Sequence, residues 1–284
     1  MITALDVFRG IDFDVKPERW FAGSPFENLD IRPGRVVLIG APPGAGKTTL
    51  AVQLVTNVLE QQPDLRCVVG NVELSPRSLV DKILARKSRV PLDGIQDHEL
   101  AVSERAAVDA VAVDSADMLG RLVFLEPPFT INNMAGAMKE FQARFIVLDY
   151  VQRFTTDSDK DSRTQIDKLM GRVRLLANQF NTCIIVISSV SRQTGKTGST
   201  YAGTNLASFR GSAELEFGAD DAYLLDADDG GMATLRCLKK RFGRKIDTPL
   251  RFNGPLQEFT LGDDLDGFDT TPLLALPDSG KGAK

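Results

Sequence analysis

Arg35-Val36-Val37-Leu38-Ile39-Gly40-Ala41-Pro42-Pro43-Gly44-Ala45-Gly46-Lys47-Thr48-Thr49 passes from an apolar run through a Gly/Pro segment into helix-forming sequence. The apolar run predicts a buried strand. From residue 46 to about 62, Leu50, Leu54, Val58 and Leu59 recur at helical spacing. A strand, a Gly-rich turn and a helix opening on Gly-Lys-Thr form the phosphate-loop pattern, with Ala41 where the strict form has its first Gly. Gly44 and Gly46 let backbone N–H groups converge on phosphate oxygens, and the helix N-terminus adds partial positive charge. Lys47 is placed to reach β- and γ-phosphates and the Thr48 hydroxyl to bind Mg²⁺. Pro43, Gly44, Ala45, Gly46, Lys47, Thr48 and Thr49 are thus the candidate nucleotide cradle, implying ATP and Mg²⁺.

Outward from this stretch, strands and helices alternate. Residues 66–72 read as a strand. Ser75 and Pro76 read as the N-cap and first position of a helix. Residues 91–120 predict one or two short helices, with His98 as an exposed helix-start residue. Residues 122–125 read as a brief strand ended by Pro127-Pro128, and 134–141 as a helix. Residues 145–148 and 183–187 are apolar runs expected of strands buried on both faces, with a long helix over 163–180 between them. The end is strand-rich, at 222–225, 233–239, 250–252 and 258–261. The expected fold is α/β: a mostly parallel sheet flanked by helices, with antiparallel strands at the C-terminal end. Three segments are expected. Residues 1–30 form an arm that is a candidate subunit linker, 31–261 the catalytic core, and 262–284 an acidic flexible tail.

Composition narrows the function. The 284 residues carry 34 basic and 38 acidic side chains, a formal charge of −4. A chain this long buries roughly 75% of its unfolded surface and needs no staple. Cys67, Cys183 and Cys237 lie far apart, which argues against a disulfide framework and for a reducing compartment. The single His, His98, excludes His-His metal pairs and leaves little room for a Ser-His-Asp triad. No signal-peptide pattern and no apolar run of about 20 residues is present, so a soluble, cytoplasmic protein without membrane contact is expected. Mild acidity is compatible with nucleic-acid binding through a local basic patch.

The run before Asp149 ends in a carboxylate at a strand end, where Mg²⁺ would be held. Tyr150 follows, so a base that activates water must come from elsewhere. Glu73, closing the strand after the phosphate loop, is the candidate; its alternative reading is a helix-start acid interacting with the helix dipole.

These residues carry a resemblance. The chain resembles the ATPase domain of DnaB-type replicative helicases, within the RecA-like class, over roughly residues 25–260. The phosphate loop is the first match. Asn71-Val72-Glu73-Leu74-Ser75-Pro76 is similar to the family's Ser-Leu-Glu-Met segment with its catalytic Glu, and Val147-Leu148-Asp149-Tyr150-Val151-Gln152 to its Ile-Asp-Tyr-Leu-Gln. Phe209-Arg210-Gly211-Ser212-Ala213-Glu214-Leu215-Glu216-Phe217-Gly218-Ala219-Asp220 is similar to Leu-Arg-Glu-Ser-Gly-x-Ile-Glu-x-x-Ala-Asp, and Lys239-Lys240-Arg241-Phe242-Gly243 to Lys-x-Arg-x-Gly. The resemblance implies a ring of identical subunits, expected to be a hexamer, with ATP between subunits and Lys239 and Arg241 reaching the neighbour's site. Arg210, Gly211 and Ala213 match a loop that touches single-stranded DNA in the channel. Arg192 and Lys196, in a basic segment, are candidates for a second channel loop. The alternatives are solvated loops in both basic segments. Phe209 is expected to be buried, so backbone tracking is favoured over base stacking.

Two departures stand out. Ser189 occupies the position of a Gln that senses the γ-phosphate, and Gly211 that of an acidic channel residue. Only some thirty residues precede the core, so no accessory N-terminal domain is expected within the chain. The leading expectation is an ATP-hydrolysing ring motor that translocates on single-stranded DNA and unwinds duplex. The alternative is a RecA-like ATPase serving as helicase loader or RadA/KaiC-like regulator without unwinding. A nucleotide-sensing module without turnover is a third class.

Overall fold

The computed structural model describes residues 3–156, 162–190, 193–195, 198–200, 209, 213–228 and 230–262. An exposed helix α1 (Ala4–Arg9) is followed by an irregular stretch. Then come β1 (Val36–Ala41), α2 (Lys47–Gln61), β2 (Cys67–Asn71) and α3 (Pro76–Ser88). The middle supplies α4 (Leu92–Asp97), α5 (Val102–Asp114), α6 (Ala116–Gly120), β3 (Leu122–Phe124) and α7 (Ile131–Glu140). Next are β4 (Phe145–Asp149), a short 3-10 turn (Val151–Arg153), α8 (Ser162–Gln179), β5 (Cys183–Ser189), β6 (Gln193–Gly195) and β7 (Gly198–Thr200). The chain closes with α9 (Ala213–Gly218), β8 (Asp221–Ala227), β9 (Met232–Lys240), β10 (Thr248–Asn253) and β11 (Glu258–Leu261).

Nine strands form one sheet in the order β11-β10-β9-β8-β1-β5-β4-β2-β3. From β8 to β3 the neighbours are parallel, and from β8 to β11 they are antiparallel. Pleating explains the apolar runs, because successive side chains enter opposite faces. Val37, Ile39, Val69, Val147 and Ile185 join one core, under α2, α3 and α6. Val36, Leu38, Val68, Ile146 and Ile184 join the other, under α7, α8 and α9. Each fully buried Val, Leu or Ile contributes roughly 1.5–3 kcal/mol, so both faces must be apolar for the central strands to be worth ordering.

Three expectations change. The core begins before residue 31: Trp20, Ala22, Phe26 and Leu29 are buried, the Trp20 N–H donates to the Ile31 carbonyl, and its ring meets Phe145 edge-on at 6.2 Å. The arm's exposed part ends just before Trp20. Residues 91–120 hold three helices, and α3, α4 and α5 share a small third core of Ala85, Val90, Ile95 and Val108. His98 ends a helix instead of starting one. It sits at φ 61° as the C-cap of α4, and the Glu99 N–H closes on the Gly94 carbonyl at 3.0 Å. The 262–284 tail lies outside the described residues apart from Gly262. Among the described residues, no helix is long and apolar enough to cross a membrane, and the three cysteines are free and buried.

Candidate active site

The parallel strands β1, β2, β4 and β5 all run the same way, so their carboxyl ends share one edge, where an open α/β sheet binds ligands. The phosphate loop leaves β1 at that edge. Gly44 and Gly46 have φ of 83° and 82°, a left-handed conformation that L side chains rarely adopt. A Cβ on Gly46 would also stand 2.9 Å from the Phe259 ring of β11. The loop is thus fixed by its glycines and backed by the stacked Phe252–Phe259 pair, with centroids 4.6 Å apart. Lys47 opens α2, its ammonium 5.8 Å from the centre of the Tyr150 ring.

Asp149 closes β4 beside Asn71 at the end of β2. The Thr48 hydroxyl donates to Asp149 Oδ2 at 2.7 Å, and the Asn71 side-chain amide donates to the same oxygen at 2.7 Å. Burial pushes the Asp149 carboxyl up to about 6, and the Glu73 charge adds to that rise. The Thr48 hydrogen bond, the Lys47 charge and the Asn71 hydrogen bond pull it back. A hydroxyl and a carboxylate this close form a hard-oxygen pair of the kind Mg²⁺ takes alongside substrate phosphates and water, so the residues present fit that ion.

Glu73 lies two residues beyond Asn71. Its N–H and that of Leu74 both donate to Asn71 Oδ1, at 3.0 and 2.7 Å. The turn then enters α3, where Ser75 caps by accepting the Ser78 N–H at 3.1 Å with Pro76 at the first position. Glu73 is exposed, at the rim of a cleft of about 450 Å³ walled by Leu74, Phe124, Leu125 and Phe129. A second cleft, about 470 Å³ between α3 and α5, contains none of the phosphate-loop residues.

Two further side chains frame the site. Gln152 donates to the Ser188 hydroxyl at 2.7 Å and accepts the Ser189 N–H at 3.3 Å, tying the ends of β4 and β5. Gln257, on the turn between β10 and β11, accepts from the Thr49 hydroxyl at 2.7 Å and from Lys82. Asn71, Gln152 and Gln257 carried no assigned role in the sequence. The first two sit inside quoted motifs. Gln257 gave no signal, since a turn residue 208 positions from Thr49 reaches it only through the fold.

Lys239 and Arg241 are elsewhere. Lys240 pairs with Asp221 in the β8–β9 ladder, and Asp221 pairs with Val37 at the start of β1. They therefore occupy the edge opposite the phosphate loop. Lys239 donates to the Ala219 carbonyl at 2.9 Å, and Arg241 pairs with Asp220 at 3.1 Å. Of the expected DNA-contacting residues, Arg192, Lys196, Arg210 and Gly211 lie outside the described residues, and Ala213 opens α9. Phe209 is buried, bridged to Val190.

Comparison with known proteins identifies the family to which this fold and its motifs belong. The model of the DnaB-like helicase C-terminal domain matches residues 27–261. A "Probable plasmid replicative DNA helicase" of Chlamydia trachomatis is 22% identical over 232 residues, 80% of this chain and 51% of that protein. The "Replicative DNA helicase DnaB" of Treponema pallidum is 25% identical over 239 residues, 82% of this chain and 52% of that protein. The chain spans about half the length of these curated relatives. The solved "ATPase Domain of G40P" superposes with a TM-score of 0.76 at 16% identity, covering 91% of this chain and 97% of that one. The chain belongs to the DnaB-like helicase C-terminal domain family.

Proposed function

We propose that this chain is the ATP-hydrolysing motor core of a homo-oligomeric ring, a hexamer on the family pattern, that moves along single-stranded DNA and separates duplex in the cytoplasm. The observation that carries the reading is the split of the site between two edges of one sheet. Thr48, Asn71, Glu73 and Asp149 gather at the carboxyl edge with the phosphate loop. Lys239 and Arg241 stand at the amino edge, beside the start of β1. Four residues of β1 separate the Val37 level from the loop, on the order of 13 Å at the usual strand rise. One copy cannot close its own site with Arg241, whereas a neighbouring copy can.

In this reading Lys47 and the loop N–H groups hold the β- and γ-phosphates. Glu73 orients a water and takes its proton as the oxygen attacks the γ-phosphorus and ADP leaves. Lys239 and Arg241 of a neighbouring copy stabilise charge on the transferring phosphoryl group. Thr48 and Asp149 would hold Mg²⁺, which when bound neutralises phosphate charge. Arg210, Gly211 and Ala213, with Arg192 and Lys196, are assigned to phosphates of the single strand, a sequence-independent contact.

The test is ATPase activity with and without oligo-dT, together with strand separation on a forked duplex. We expect stimulation by oligo-dT and ATP-dependent unwinding. Lys47→Ala should lose nucleotide binding, and Glu73→Gln should retain ATP without turnover. Arg241→Ala should lose most of its turnover alone and regain activity when mixed with Glu73→Gln protein. Hydrolysis with neither stimulation nor unwinding would leave an ATPase with a non-motor task.

A further inference from the structure

Ala219-Asp220 ends the fourth motif, yet neither nucleotide nor DNA contact accounts for the aspartate. Asp220 is 2% exposed at the amino edge of the sheet. Its backbone locks to β1, the N–H donating to the Val36 carbonyl at 2.8 Å, and its carboxylate accepts the Val36 N–H at 3.0 Å. Three guanidiniums converge on that carboxylate: Arg174 at 2.8 Å, Arg241 at 3.1 Å and Arg35 at 3.9 Å. One buried charge thus faces three of opposite sign.

The three cations are not equivalent. Arg174 also donates to the Gly218 carbonyl at 2.5 Å and is mostly buried, so it is a fixed counter-ion. Arg35 shares itself with Asp30 and lies 4.0 Å from the centre of the Phe242 ring. Arg241 is the half-exposed member, its side chain 46% accessible, while its backbone N–H donates to the Asp220 carbonyl at 3.0 Å. A half-exposed ion pair binds weakly. Asp220 keeps a full counter-charge in Arg174 when Arg241 departs, so exchange of the carboxylate for a phosphate oxygen leaves no bare buried ion.

We propose that Asp220 is the positioning residue for Arg241: it holds the guanidinium at the amino edge of the sheet and yields it to the triphosphate bound by a neighbouring copy, while Phe242, stacked on Arg35, pins the same turn. The inference rests on the reading of Arg241 as acting across the interface. It adds a pre-organised, releasable arginine to that reading. A guanidinium already oriented loses less freedom on meeting phosphate, so ordering the free side chain is avoided in the step that needs it.

The experiment uses the full chain carrying Asp220→Asn, Arg241→Ala or both, with oligo-dT present. Turnover, affinity for a fluorescent ATP analogue and Tm are read for each. Asp220→Asn should lower kcat on the order of 10- to 100-fold and leave analogue affinity within about twofold of wild type. The double variant should be no slower than Arg241→Ala alone, since the aspartate acts through the arginine. Mixing Asp220→Asn protein with Lys47→Ala protein should restore turnover, because the second protein lends an intact Arg241 to sites of the first. Wild-type kcat in Asp220→Asn, additive losses in the double variant or no recovery on mixing would overturn the proposal. Wild-type kcat in Arg241→Ala would instead overturn the trans reading beneath it. If Asp220→Asn does not fold, Phe242→Ala decides: a several-fold lower kcat at unchanged Tm supports the device, and unchanged kcat overturns it.

Discussion

Asn71 holds Asp149 with one end of its side chain and Glu73 with the other: its Nδ2 donates to Asp149 Oδ2 at 2.7 Å, and its Oδ1 accepts the Glu73 N–H at 3.0 Å. The proposed metal-holding carboxylate and the backbone that carries the proposed water-activating residue are therefore tied together by one amide. Substituting Asn71 with Ala removes a donor from a buried carboxylate and frees the turn that carries Glu73. Loss of such a supporting group costs about 10- to 100-fold in activity. We expect Asn71→Ala to lose that much kcat for ATP while binding to the phosphate loop persists, as read by nucleotide titration. Unchanged kcat would show that the strand ends alone set the spacing.

Asp149 links function to stability with a definite sign. Its folded-state pKa is raised from 3.8 to about 6, chiefly by burial. The folded state then binds a proton more tightly than the unfolded chain between those values, so stability falls as pH rises through that window. Without nucleotide or metal, ionised Asp149 costs about 2–3 kcal/mol at neutral pH. Asp149→Asn should therefore raise stability in metal-free denaturant melts at pH 7.5. The gain should shrink towards pH 4, where the native carboxyl is already neutral. The same variant should lose Mg²⁺-dependent turnover. A destabilised Asp149→Asn protein at pH 7.5 would contradict the burial argument.

Gln53 stands in for a missing strand neighbour. Its Nε2 donates to the Phe259 carbonyl at 2.8 Å, and its Oε1 accepts the Phe259 N–H at 2.7 Å. This two-bond pairing between α2 and β11 seats Phe259 behind Gly46. Gln53→Met conserves length and leaves both backbone groups unpaired in a buried place. At roughly 1–3 kcal/mol for each of the two stranded groups, we expect a loss of about 2–6 kcal/mol in a denaturant melt. Weaker ATP binding should accompany it as the wall behind the loop loosens.

The central strands β1, β2, β4 and β5 were legible because each is an apolar run buried on both faces, as from Val36 to Ile39 and from Phe145 to Leu148. The start of α3 was legible because Ser75 and Pro76 act locally. What escaped the sequence depends on distant partners. Trp20 and Phe26 look like an arm until Phe145 and the sheet face are there to cover them. Helices α4 and α5 share only a small core, so their apolar pattern is thin. The phosphate loop and Asp149 stand out as candidates by residue type at strand ends, and Glu73 by its place just past one. Asn71, Gln257 and Asp220 act through hydrogen bonds that residue type does not advertise.

Gly40 packs the strand that enters the phosphate loop against Phe209, the first residue of the fourth motif. It lies in β1 two residues before Pro42, and a Cβ there would meet Phe209 Cε1 at 2.4 Å and Val190 Cγ1 at 3.0 Å. Phe209 is 5% exposed and bridged to Val190. The Phe209 ring must shift to admit a methyl there, so Gly40→Ala should cost about 1–3 kcal/mol as an overpacked core position. Phe209→Leu alone should also destabilise, by leaving a void over Gly40. The two substitutions together should be less harmful than their sum, because the smaller side chain at 209 makes space for the new methyl. Denaturant melts of the four proteins measure the coupling directly. Strict additivity would mean that the ring and the glycine do not constrain each other in solution.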